Sequence, residues 1–286
     1  MTEKQARTLQ QFLRTLREAG GGALLLNYDG TLAPFRTSRH CAFPYPGVTG
    51  LLEGIMQAGH TRVVVIGGRR ANDIINLLGI SPYPEVWGSH GLQRLHPDGG
   101  HEMAYTGKHS LQALAEADRL LEEAGLRDLA EFKPGSVAVH WRGLDPASIQ
   151  QVRDRVLWLW LPLAFETRMA LLEFDGGVEI RPPGVDKATA VRRVLGELHH
   201  GVPVAYLGDD QTDEGVFRLL KGRGMSVLVR AEICKTVADI WLQPPRELMF
   251  FLSAWLEATG SKECERGITR KFGSTQSEET DIKISA

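Results

Sequence analysis

Ala23-Leu24-Leu25-Leu26-Asn27-Tyr28-Asp29-Gly30-Thr31 is a short apolar run that ends abruptly in a polar turn. The pattern reads as a buried strand delivering chemistry at its carboxyl end, where open α/β sheets bind their ligands. Alternate residues of an extended segment point the same way, so Asn27 and Asp29 project together into the crevice beyond the strand. Gly30 lets the chain turn away. Working outward, the pattern recurs. Arg62-Val63-Val64-Val65-Ile66 runs into Gly67-Gly68-Arg69-Arg70, and Val204-Ala205-Tyr206-Leu207 runs into Gly208-Asp209-Asp210-Gln211-Thr212-Asp213-Glu214.

Helical periodicity fills the intervals. Residues 4–19 place Leu9, Phe12, Leu13 and Leu16 on one face, and Val48, Leu51, Leu52, Ile55 and Met56 form a second amphipathic stretch. Asp186 is placed to cap a third, carrying Val191, Val194, Leu195 and Leu198. Strand, helix, strand in this order predicts an α/β fold with a Rossmann-like parallel-sheet core and right-handed crossovers. Glu85–Leu92 is expected to form a further strand followed by a tight turn, with a last strand near Met225–Val229 and a closing helix over about Pro245–Ala258.

Between about Pro97 and Pro183 the alternation changes. Helix is expected over 107–125, strand over Val137–Arg142, and a helix capped by Asp145 with Pro146 at its first position. Strands follow at Arg168–Phe174 and Val178–Arg181. This is an α+β insert, expected to form a cap domain over 97–183, with residues 1–96 and 184–260 making a discontinuous core. Residues 261–286 turn polar without apolar period and are expected to be disordered.

The chain has 286 residues, 43% hydrophobic and 24% charged, with a formal charge of -2, so no basic excess points to nucleic acid. The apolar run Val156–Phe165 is too short to span a bilayer, and the charged start, Met1–Arg17, lacks the apolar core of a secretory signal. Cys41, Cys234 and Cys264 are unclustered, which argues against a disulfide framework or a cysteine zinc site. A cytoplasmic, monomeric enzyme is expected, with no membrane partner. No Gly-x-Gly-x-x-Gly follows the first strand, which disfavours a dinucleotide.

The strand-end stretches converge on one sheet edge. Asp209, Asp210 and Asp213, together with Asp29, gather hard oxygen donors of the kind that suits Mg²⁺; helix capping is the alternative use of such acids. Lys187 stands at a helix start, where a cation gains nothing from the macrodipole unless an anion binds there.

Taken in order, Asn27-x-Asp29-Gly30-Thr31, Val63 to Arg69, Lys187, and Gly208-Asp209-Asp210-x-Thr212-Asp213-Glu214 resemble the four motifs of the haloacid dehalogenase superfamily of phosphohydrolases. Tyr28 to Pro34, Gly88-Ser89-His90-Gly91, Val137 to Arg142, Glu179-Ile180-Arg181-Pro182 and Gly184-Val185-Asp186-Lys187 narrow the resemblance to trehalose-6-phosphate phosphatases. The resemblance implies a haloacid dehalogenase fold with a mixed α/β cap, a sugar-phosphate substrate and Mg²⁺. It implies that Asp29 is the general acid/base and offers its main-chain carbonyl to the metal. Asp209 would ligate the metal directly, with Asp210 and Asp213 nearby or acting through water. Lys187 would hold the phosphate, and Arg69, His90, Lys133, His140 and Glu179 would meet the substrate.

The sequence departs from the resemblance twice. The hydroxyl residue that ends the second motif's strand is Gly67, leaving main-chain amides at Gly67 and Gly68 to cradle the phosphate. The nucleophilic Asp is Asn27, and an amide is a far poorer nucleophile than a carboxylate, although its oxygen can still ligate a metal weakly. Two readings stay open: a sugar-phosphate phosphatase impaired at its nucleophile, or a non-catalytic sugar-phosphate-binding protein, with another glycosyl phosphate as the alternative ligand.

Overall fold

The computed structural model describes residues 1–104, 106–174 and 176–260, and the tail expected to be disordered lies outside them. The chain runs α1 (Glu3–Ala19), β1 (Gly22–Asn27), α2 (Val48–Gln57), β2 (Thr61–Ile66), α3 (Ala71–Leu78), β3 (Glu85–Gly88), β4 (Gln93–Leu95) and β5 (His101–Met103). Then come α4 (Lys108–Glu123), β6 (Ala130–Lys133), β7 (Ser136–His140), α5 (Pro146–Thr167), β8 (Ala170–Phe174) and β9 (Gly177–Arg181). It closes with α6 (Lys187–Glu197), β10 (Val204–Gly208), α7 (Glu214–Leu219), β11 (Met225–Val229), β12 (Ile240–Leu242) and α8 (Arg246–Gly260).

The main sheet has the order β12-β11-β10-β1-β2-β3-β4-β5. It is parallel from β12 to β3 and antiparallel beyond. β1 lies in the middle, buried along its whole length, and its side chains alternate between the two faces. Leu24 and Leu26 join a core with α1, α2, α3 and α8; Ala23 and Leu25 join one with α6 and α7. Burial on both faces leaves only the strand ends for polar chemistry. Asn27, at the end of β1, therefore opens at the same edge as Gly208, at the end of β10.

The inserted segment forms a second, antiparallel sheet, β6-β7-β9-β8, backed on one face by α4 and α5 through Leu121, Val139, Trp160 and Ile180. The expected cap boundary at Pro97 falls in the turn between β4 and β5, where His96 N donates to Gly100 O at 2.8 Å, and both strands extend the main sheet. Strands of three residues are too short to show an alternating pattern, and for that reason β4, β5 and β12 escape a sequence reading. The segment Glu85–Leu92 forms the expected strand and tight turn: the strand ends at Gly88, and Ser89 (φ 49°) and His90 (φ 56°) adopt left-handed backbone. That turn latches two loops together: Ser89 N donates to Arg69 O at 2.6 Å and His90 N to Gly67 O at 2.9 Å.

Candidate active site

The ends of β1 and β10 meet around Asn27, which is 3% exposed. Its Nδ2 donates to Asp29 O at 2.7 Å, Thr31 Oγ1 at 3.2 Å and Asp209 Oδ1 at 2.5 Å. Gly30 makes this approach possible: it has φ 80°, and a Cβ there would lie 2.1 Å from Asp209 Oδ2. Asp29 is held by its own partner, accepting from Arg69 Nε and Nη2 at 2.7 Å each in a two-pronged pair.

Lys187 opens α6 and is 4% exposed; Asp186 caps the helix by accepting from Thr189 N at 2.6 Å. Its Nζ donates to Asp213 Oδ1 at 2.8 Å, which Tyr206 OH reaches at 2.5 Å, while Asp213 Oδ2 accepts from the amides of Asp209 and Asp210 at 3.0 and 3.2 Å. Asp213 is thus surrounded by donors. Asp210 Oδ1 accepts from Thr212 N and Oγ1 at 2.8 and 2.6 Å.

The cap closes the other side of the cleft. Glu179 is 2% exposed and accepts from Lys133 Nζ at 2.5 Å, Ser136 Oγ at 2.7 Å and, across the domain boundary, His90 Nε2 at 2.9 Å. Arg39, on the loop after β1, pairs with Glu131 of β6 and lies 3.0 Å from His140 Nε2. Arg142 stacks over Phe35 at 4.1 Å. One cavity results, lined by Asn27, Asp29, Gly68, Arg69, Lys187, Asp209 and Asp210 from the core side and by Lys133, His140 and Phe174 from the cap, with His90 between them.

Residues 25–238 match the Trehalose-phosphatase family model. The chain belongs to that family. It is 29% identical over 231 residues to a trehalose-phosphate phosphatase of Mycobacterium leprae, covering 73% of this chain and 50% of the relative. A trehalose-phosphate phosphatase of Mycobacterium avium is 32% identical over 225 residues, covering 73% and 54%. The chain thus spans about half the length of these curated relatives. The C-terminal domain of a trehalose-6-phosphate phosphatase from C. albicans superposes with a TM-score of 0.74 at 20% identity, covering 87% of this chain and 96% of that one. The mixed α/β fold is accordingly shared with that domain and, with a TM-score of 0.55 at 18% identity, with a haloacid dehalogenase superfamily phosphatase from Bacteroides thetaiotaomicron.

Set against the family motifs, most of the residues singled out in the sequence line the cavity, but Gly67, Glu179 and Asp213 do not. Gly67 N donates to Trp87 O at 2.9 Å to continue the sheet, so it is not free to cradle a phosphate; Gly68 remains. Glu179 stands behind the lining, bonded to Lys133 and His90. Asp213 accepts four hydrogen bonds through its two oxygens and so anchors Lys187 and the loop. Sequence reading missed Arg39, Glu131, Phe35 and Arg142, which sit on loops or short strands without periodicity and acquire meaning only through contacts across the cleft.

The electrostatics follow from burial. Burial and the neighbouring Asp210 and Asp213 push Asp209 well above the usual carboxylate range. Burial alone would lower the Lys187 ammonium, but Asp213, Asp210 and Asp209 outweigh it and raise it. Burial holds His90 down to about 4, against the pull of Glu179. For Glu131, burial acts upward, and His140, Lys133 and Arg39 overcome it to bring the carboxylate to about 2. The acidic cluster Asp209, Asp210 and Asp213 has the oxygen chemistry of a Mg²⁺ site. Asp209 Oδ2 is buried and receives no hydrogen bond among the described residues, an oxygen that a hard cation would satisfy.

Proposed function

We propose that this chain binds a sugar monophosphate of the trehalose 6-phosphate class in the cleft and turns it over far more slowly than a relative with a carboxylate at position 27. The observation that carries this reading is Asn27 itself: an amide stands at the end of β1, held by Asp209 and the Asp29 carbonyl. It cannot supply the acyl-phosphate chemistry of an Asp.

The remaining parts suit recognition. Lys187 and the Gly68 amide offer positive charge and a donor to a phosphate at the sheet edge. Lys133 and His140 offer donors to sugar hydroxyls from the cap. Arg69 keeps the Asp29 carboxylate aimed at the cleft. Mg²⁺, where bound, would be held by Asp209, Asp210 and the Asp29 carbonyl, and would draw negative charge from the phosphoryl oxygens. The reading includes a cytoplasmic monomer. Among the described residues no helix is long and apolar enough to cross a membrane.

Phosphate release from trehalose 6-phosphate is the test, run on the parent and on Asn27→Asp with EDTA as control. The variant is expected to release phosphate at least roughly a hundredfold faster than the parent. Equal inactivity of both proteins across a panel of sugar phosphates would mean that more than the nucleophile is missing. A fast parent would remove the proposal.

A further inference from the structure

The Asn27 amide does more than lack a charge. A main-chain carbonyl, a hydroxyl and a carboxylate, from Asp29, Thr31 and Asp209, converge on its single nitrogen at 2.7, 3.2 and 2.5 Å. These are hard oxygen donors of the type that surrounds Mg²⁺, yet the distances are those of N–H···O bonds and longer than the roughly 2.0–2.1 Å that Mg²⁺ demands. An amide group carries two protons, so its donors are fully committed here.

The opposite orientation of the same amide is prohibitive without a cation. It would set Asn27 Oδ1 against the Asp29 carbonyl, which carries no proton, lone pair facing lone pair in a buried site. The Asp29 carbonyl therefore decides which way Asn27 points, and Asp209 Oδ1 accepts from the same nitrogen. The two ends of the amide have opposite consequences for a metal: the nitrogen repels it, and the oxygen ligates it.

We propose that the Asn27 amide nitrogen, as a hydrogen-bond donor to these oxygens, occupies the place of the divalent cation, so that the cation must displace it to bind. This rests on the reading of the cleft as a sugar-phosphate site and adds to it that ligand binding does not require the metal. The charge count supports the second part. Asp29 is paired with Arg69 and Asp213 with Lys187, while Asp209 is bonded to the amide and Asp210 to Thr212. A carboxylate at position 27 would add a further negative charge beside the incoming phosphate and so raise the need for a metal.

Asn27→Ala separates this from the ordinary view of Asn27 as a weak metal ligand. Deleting a ligand weakens Mg²⁺ binding, whereas deleting a competitor strengthens it. Titrating Mg²⁺ alone by thermal shift and calorimetry, we expect Asn27→Ala to bind about tenfold more tightly than the parent, the scale of one hydrogen bond to a charged group. Equal or weaker binding overturns the proposal. Folding of the Ala protein only when Mg²⁺ is added would equally support it, and Asn27→Ser serves the same comparison if the Ala protein does not fold at all. A second arm measures the melting temperature of the parent with trehalose 6-phosphate in EDTA and in Mg²⁺. A rise in EDTA supports the inference, and a rise in Mg²⁺ only overturns it. No rise in either sinks the sugar-phosphate reading, and the Mg²⁺ titrations alone then decide the inference.

Discussion

The two halves of the cleft hold their charges differently. On the core side Asp213 and Asp29 find their partners within the core: Asp213 accepts from Lys187 of α6, Tyr206 of β10 and two amides of its own loop, and Asp29 accepts from Arg69. On the cap side the acids are completed only across the boundary, Glu179 by His90 and Glu131 by Arg39. The core half is thus pre-assembled at the strand ends, where the sheet fixes each position. The cap half owes part of its set of partners to residues of the core, His90 and Arg39.

The sharpest way to break the core half is Asp213→Asn. One oxygen becomes a donor facing either Lys187 and Tyr206 or the two loop amides, and a buried ion pair loses its charge. A loss of about 3–5 kcal/mol in unfolding free energy is expected, read by urea denaturation. A loss below about 1 kcal/mol would show that the core half is not the rigid part of the cleft.

The cap half is to be probed with acid. His90 faces Glu179, Lys133 and Arg181 from the cap and Asp210 from the core. Its folded value of about 4 lies below the ordinary 6.5, chiefly through burial. Above pH 6.5 the group is neutral in both states and makes no difference. As the pH falls from 6.5 to 4, the unfolded chain takes up the proton first, and stability drops by roughly 2–3 kcal/mol. Glu131, held down at about 2, works in a lower window: its contribution is full above its ordinary 4.5 and is lost as the pH falls toward 2. Unfolding free energy plotted against pH should slope between 6.5 and 4, and His90→Gln should flatten that segment alone.

The smallest effect is expected from Arg39→Ala. Its side chain is 30% exposed, so its pair with Glu131 contributes at most about 1 kcal/mol to global stability. Hydrogen exchange should nonetheless quicken at β6 and at the loop carrying Arg39, and leave β1 and β10 unchanged. Quickening at β1 would dissolve the distinction between the halves.

The sequence alone determined the parallel core, because β1, β2 and β10 are continuous apolar runs with polar ends, and a strand buried on both faces has no other place to put polar chemistry. It also marked Asn27, Asp29, Lys187 and Asp209, since each is bound to a strand end or helix start. What Asn27 does there was not legible. Its nitrogen is shared between the Asp29 carbonyl and Asp209, which is distant in sequence yet lies 2.5 Å away, and Asp209 fits only beside a glycine. Nor could the sequence tell that Gly67 spends its amide on Trp87, that Asp213 is an anchor, or that β4 and β5 belong to the main sheet. Residue type and spacing report local conformation. Hydrogen-bond saturation is a property of atoms brought together from separate segments, and only the tertiary structure decides which oxygens remain free to meet a ligand.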